Sequence, residues 1–211
     1  MSIIHNFAVF EGGDGSGTTT QLELLARRFA SPGLPPFHAT REPTGGPIGT
    51  LIRKVLKGET VLLPKTTARL FAADRNEHIY GPGGIAERCE RGEIVVSDRY
   101  TPSSIVYQGI VCGDELTSAL NASFPMPELL IFFDLESNIA LKRIAARPDR
   151  DIYEYLDFQI KARTLYKALL PRYEEAGVRV ECLDASLPPD KIAELVWKTV
   201  KKMPSVEAYA G

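Results

Sequence analysis

Short runs of consecutive apolar residues alternate along this chain with segments whose apolar positions recur every third or fourth residue. The runs are Ile3 to Phe10, Phe37 to Thr40, Glu93 to Ser97, Leu129 to Asp134 and Val178 to Leu183. Their length and their Gly and Pro boundaries mark them as strands. The periodic segments carry Leu22, Leu25, Ala26 and Phe29, then Ile48, Leu51, Ile52 and Val55, and near the end Ile192, Leu195, Val196 and Thr199. Each set falls on one helical face, and Pro47 stands where a first turn tolerates proline. Strand and helix in alternation predict an α/β fold built on a mostly parallel sheet.

Two loops interrupt the pattern with Pro and Gly, Ser31 to Phe37 and Arg41 to Gly49. The first reads as a connector. The second follows the carboxyl end of a strand, the edge at which open α/β sheets bind ligands. No internal repeat or low-complexity tract divides the chain, so a single domain over residues 1–202 is expected, with residues 203–211 fraying.

Composition narrows the function more than the fold. The 211 residues, 44% apolar and 25% charged, suffice for one core. A formal net charge of -2 with scattered Lys and Arg lacks the footprint of a nucleic-acid binder, so any bound anion should be small and locally held. Asp134 cuts the most apolar run, leaving nothing near the ~20 apolar residues of a membrane span. The opening residues carry neither a basic start nor a cleavage site, which predicts a cytoplasmic protein. Cys89, Cys112 and Cys182 are odd in number and without metal spacing, the pattern of a reducing compartment and of buried thiols. His5, His38 and His78 show no metal spacing either, and no GxSxG nucleophile motif occurs.

The chemistry concentrates in "FAVFEGGDGSGTTTQLELL", Phe7 to Leu25, where a Gly-rich turn joins a strand to a helix. Gly12, Gly17 and Thr19 hold the register of the phosphate-binding pattern GxxxxGK[ST], but Thr18 stands where lysine is expected. The backbone N–H groups of Gly12, Gly13, Asp14, Gly15, Ser16, Gly17, Thr18, Thr19 and Thr20 can still form an anion nest at a helix start. Thr19 keeps the hydroxyl that joins a Mg2+ shell. The lost lysine removes a point charge, at a cost on the order of 10²- to 10³-fold in transfer if nothing compensates. Further along, Asp98 ends the apolar strand before it, where a carboxylate reaches Mg2+ or its waters, and Arg99 beside it offers forked donors to phosphate.

The segments "EGGDGSGTTTQ", "TREPTGG", "LFAADRNEH", "DRYTPSSIVYQG", "FFDLESNIALKR" and "CLDAS" occur in the order found in thymidylate kinases. The chain resembles that family from Phe7 to about Val200, and DRYxxSxxxYQG is its most specific element. The resemblance implies a three-layer P-loop NTPase fold, with a five-stranded parallel sheet flanked by helices and a short lid at about 143–155. It implies transfer of the γ-phosphoryl group of ATP to dTMP with Mg2+, by a homodimer. Carried over by motif position, Phe71 stacks on thymine and Arg75 bonds the base edge; residues four apart share a helical face. Arg99 holds the dTMP phosphate, Asp14 the sugar 3′-hydroxyl, and Ser103, Ser104 and Gln108 surround the base. Tyr107 fills the place of a ribose 2′-hydroxyl, and Arg41 and Arg53 are phosphate-side candidates. Arg143 matches the residue that packs on adenine. Arg147 and Arg150, on the lid, are candidates for the charge that Thr18 does not supply.

Two other readings stay open at this level. One is a protein of the same fold that binds nucleotide without transfer, which Thr18 favours and the acceptor-side set of Phe71, Arg75, Arg99 and Tyr107 opposes. The other is a kinase for a different nucleoside monophosphate.

Overall fold

A computed structural model describes residues 2–145 and 151–209. Five strands, β1 (Ile3–Gly12), β2 (Phe37–Arg41), β3 (Ile94–Asp98), β4 (Met126–Asp134) and β5 (Arg179–Asp184), form one sheet in the order β2-β3-β1-β4-β5. Every neighbouring pair is parallel. Between them lie α1 (Thr18–Phe29), α2 (Pro47–Leu56), α3 (Pro64–Tyr80), α4 (Ile85–Glu90), α5 (Thr101–Cys112), α6 (Asp114–Asn121), α7 (Ser137–Ala145) and α8 (Leu156–Glu175), and α9 (Pro189–Val200) and α10 (Pro204–Tyr209) follow β5.

The two-residue repeat of the central strands builds the layers. Ala8 and Phe10 of β1 join Leu129, Ile131 and Phe133 of β4 in a core closed by Leu22 and Leu25 of α1 and by Ile192 and Val196 of α9. On the opposite face, Leu130 and Phe132 meet Val106 of α5 and Phe158, Ala162 and Tyr166 of α8. Phe7 and Val9 pack there too, against Ile79 of α3 and Ile85 of α4. Residues Phe7 to Phe10 have no exposed surface, as befits the middle strand of five.

Two expectations are corrected. The tail does not fray over its described part: α10 forms, and Met203 and Val206 are 0% exposed in the core beside α9. The cysteines are not uniformly buried, since Cys89 is, Cys112 is intermediate and Cys182 is exposed. Cys182 lies on β5, an edge strand, where Leu183 is its one buried residue.

Parallel strands end together, so the carboxyl ends of β1, β2 and β3 bring the Gly-rich turn, Arg41–Glu42 and Asp98–Arg99 to one edge of the sheet.

Candidate active site

The turn after β1 is shaped by glycine. Gly17, the residue before α1, has φ 94. Gly15 has φ 81, and a Cβ there would stand 2.8 Å from the carbonyl oxygen of Ala140, so the turn rests directly on α7. The resulting hollow is lined by Gly13, Asp14, Gly15, Gly17, Thr18, Thr19 and Thr20, with Asp98, Arg99, Asp151 and Glu154 opposite. Gly12 and Ser16 are buried and do not line it. Among its described residues four carboxylates face one guanidinium.

Thr19 Oγ1 donates to Asp98 Oδ2 at 2.5 Å. The other carboxylate oxygen, Oδ1, is buried and has no partner among the described residues. No group of three or more His, Cys, Asp or Glu side chains with metal-binding geometry exists among the described residues. A site of one carboxylate and one hydroxyl fits Mg2+, which keeps waters and takes phosphate oxygens in place of an all-protein cage.

A second cavity opens beside the first. Of the residues singled out by the sequence it gathers Asp14, Phe71, Arg75, Arg99, Ser103, Ser104, Tyr107 and Gln108, and adds Glu42, Pro43, Leu56, Tyr100, Asp151 and Tyr153. Asp14, Arg99 and Asp151 line both spaces.

Arg99 is the hinge between them. It follows β3 with φ 73, a left-handed conformation uncommon for any residue but glycine. Its backbone N–H donates to the Phe10 carbonyl at 2.9 Å. Nη2 donates to Asp14 Oδ1 at 2.5 Å, and Nη1 to the Gly12 carbonyl at 3.2 Å and Ser103 Oγ at 3.1 Å. The Tyr107 hydroxyl donates to Asp14 Oδ2 at 3.0 Å. Burial pushes that phenol up, and the Asp14 charge adds to the effect, so Tyr107 keeps its proton.

Arg75 is 1% exposed and almost fully engaged. Nε and Nη2 donate to Glu42 Oε2 at 2.9 and 2.6 Å. Nη2 also reaches Ser104 Oγ at 3.0 Å and the Tyr100 carbonyl at 3.2 Å, and Nη1 donates to Asn121 Oδ1.

Two arginines lie elsewhere. Arg53 does not line the cavity; its Nη1 donates to the Thr44 carbonyl at 2.5 Å and Nη2 to the Pro43 carbonyl. Carbonyls of a loop without a strand or helix ladder need such donors. Arg41 is exposed beside Thr19 and Asp98, in a shallow hollow on the α1 side. Arg143, in the last turn of α7, donates to the Ala185 carbonyl at 3.1 Å and the Gly15 carbonyl at 3.5 Å. Arg147 and Arg150 lie outside the described residues.

Sequence reasoning missed Glu11 and Gln159. Glu11 has no exposed surface and accepts from the Tyr100 and Ser103 N–H groups at 2.8 and 3.2 Å and from the Ser103 and Tyr166 hydroxyls at 2.7 and 2.9 Å. Burial raises its pKa to about 7 against the lowering pull of Arg99 and these hydrogen bonds. Its signal was a charge inside an apolar strand. Gln159 Nε2 donates to Asp14 Oδ2 at 2.8 Å while Oε1 accepts from the Asp14 N–H at 3.2 Å. That partner is 145 residues away, so no local pattern announces it.

Comparison with known proteins bears on which chemistry this edge performs. The family model described as thymidylate kinase matches residues 10–196. A putative thymidylate kinase of Treponema pallidum is 47% identical over 170 residues, 80% of this chain and 81% of that protein. A probable thymidylate kinase of Pyrobaculum aerophilum is 42% identical over 199 residues, 93% of this chain and 97% of its own length. A thymidylate kinase of Thermomicrobium roseum is 37% identical over 206 residues, 93% of this chain and 95% of that one.

Proposed function

The chain belongs to the thymidylate kinase family, and on that footing we propose that it transfers the γ-phosphoryl group of ATP to dTMP, releasing ADP and dTDP. The observation that carries the proposal is the meeting of two spaces, one walled by a phosphate-binding turn and one by aromatic and guanidinium groups, across a shared Asp14 and Arg99. Two phosphates lying end to end need such a junction.

In this reading the N–H groups of Gly13, Gly15 and Gly17 to Thr20 cradle the donor phosphates, and Arg143 lies along the adenine. Thr19 and Asp98 would hold Mg2+, which neutralises charge on the transferring group when bound. Arg99 turns from Asp14 to the acceptor phosphate and aligns one of its oxygens with the γ-phosphorus. The new P–O bond forms there as the bond to ADP breaks. The acceptor oxygen is already anionic, so no general base is required. Asp14, released by Arg99, accepts from the sugar 3′-hydroxyl, and Tyr107 leaves no room for a 2′-hydroxyl. Phe71 stacks on the base, with Ser103, Ser104 and Gln108 around it. Asn121 takes one of the two hydrogens on Arg75 Nη1, and the second serves a base carbonyl.

Thr18 leaves the phosphate-binding turn without the point charge that the lysine of its pattern provides. Arg147 and Arg150 of the lid supply the charge that Thr18 does not. On the same family footing the protein is assigned as a cytoplasmic homodimer acting on small nucleotides and not on nucleic acid, which light scattering and nucleic-acid titration test. Among the described residues no helix is long and apolar enough to cross a membrane.

ADP release measured with dTMP, dUMP, dGMP, CMP and UMP tests the assignment. Turnover with dTMP above the others is expected. ATP binding without turnover on any acceptor would leave a binding protein instead, and preference for another acceptor a different kinase. In the same assay Thr18→Lys should change kcat by less than about threefold, while Arg147→Ala or Arg150→Ala lowers it. A gain of about 10²-fold in Thr18→Lys would show that nothing replaces the lysine.

A further inference from the structure

Behind Arg75 a chain of side chains runs away from the acceptor cavity toward β2. Glu42, 5% exposed, gives Oε2 to Nε and Nη2 of Arg75, while its other oxygen, Oε1, faces Nδ1 of His78 at 3.1 Å. The opposite ring nitrogen, Nε2, meets Thr40 Oγ1 at 2.6 Å. His78 is on α3, one turn beyond Arg75, and its side chain is only 9% exposed. The carboxylate is therefore held from two sides, by Arg75 at one oxygen and by the imidazole at the other.

The carboxylate fixes what the ring must do, because Oε1 can only accept and Nδ1 is the nitrogen that faces it. A ring with its proton on Nδ1 donates to Oε1 and accepts at Nε2 from the Thr40 hydroxyl, and every polar atom is satisfied. Without that donor the carboxylate is restrained at Oε2 alone, and its terminal torsion is a broad one. The Arg75 guanidinium, bound to it through two nitrogens, would tilt with it.

We propose that His78 is a positioning residue for acceptor recognition: through Glu42 it sets the plane of the Arg75 guanidinium that lines the acceptor cavity. The proposal rests on the thymidylate kinase reading of that cavity.

Three variants of the full chain test it, because asparagine places an amide N–H near the position of Nδ1, whereas glutamine places one near Nε2 and leucine supplies neither. His78→Gln and His78→Leu should raise KM for dTMP about tenfold, the usual size for a lost hydrogen bond to a buried charge, with kcat and KM for ATP within about twofold of the parent. His78→Asn should keep KM for dTMP within about threefold of the parent. In a Glu42→Gln background His78→Leu should add less than about twofold, since its route to Arg75 is already cut. Nitrogen NMR of the parent ring should report a proton on Nδ1.

Equal KM values for His78→Asn and His78→Leu would overturn the proposal, as would KM changes that track loss of Tm across all three variants. Should the His78 variants fail to fold, Thr40→Val removes the far hydroxyl with the ring in place. It should raise KM for dTMP about threefold, and an unchanged KM counts against the relay. If the parent binds dTMP without turning it over, the kinase reading fails, and the same ranking of variants is then read by calorimetric dTMP affinity.

Discussion

Glu11 carries four hydrogen-bond donors and no exposed surface, and the donors are of two kinds. Those at Oε1 are backbone N–H groups, which cannot turn away, so a proton on this carboxyl sits on Oε2, where the Ser103 and Tyr166 hydroxyls can rotate to accept it. Burial lifts the pKa from the ordinary 4.5 to about 7. Between those values the folded protein holds a proton that the unfolded chain has lost. The stabilisation from this group is therefore complete below pH 4.5 and disappears as pH rises through about 7, an effect on the order of 3 kcal/mol. Glu11→Gln removes the titration and keeps a donor. Unfolding free energy followed from about pH 5 to about pH 8 should lose the part of its downward slope that Glu11 supplies, and an unaltered slope would mean that burial does not hold the proton. Glu11, Glu42 and Gln159 are hard to see in a sequence for one reason: a polar residue is buried by partners that folding brings from afar. Asp98 and Arg99 are legible because a strand end places them before any long-range contact is known, and Phe71 because the family resemblance carries it over by motif position.

At the scale of elements, periodicity carries far where a face is wide. Leu22, Leu25 and Phe29 of α1 and Ile192 and Val196 of α9 are buried on the face their spacing predicts. Strand limits are less legible: β4 starts at Met126, three residues before the apolar run, because Pro127 reads as a turn and pairs instead with Ile4 of β1. The six-residue α10 was missed because it offers too few positions for a period, although Val206 is 0% exposed. Its burial makes the helix a part of the fold. Val206→Ala should cost about 2 kcal/mol in denaturant unfolding, and a loss within error of zero would show that α10 is dispensable.

Across the whole molecule the two cavities behave as one device, since two carboxylates, Asp14 and Asp151, stand in the walls of both. Gln159 of α8 grips Asp14 at its backbone and at its carboxylate, and Gln159 Nε2 also reaches the Tyr153 carbonyl at 3.1 Å. Gln159→Leu should thus raise KM for ATP and for dTMP together, each by about tenfold. A rise in only one would tie Asp14 to a single ligand. Arg99, the guanidinium shared by both walls, has φ 73. Glycine or asparagine would sit there more comfortably, by roughly 1 kcal/mol. Either would also strip Asp14 of its guanidinium, and losing one partner of a largely buried pair outweighs that relief, so a library screened for heat tolerance alone should keep this arginine: here endurance and turnover pull the gene the same way.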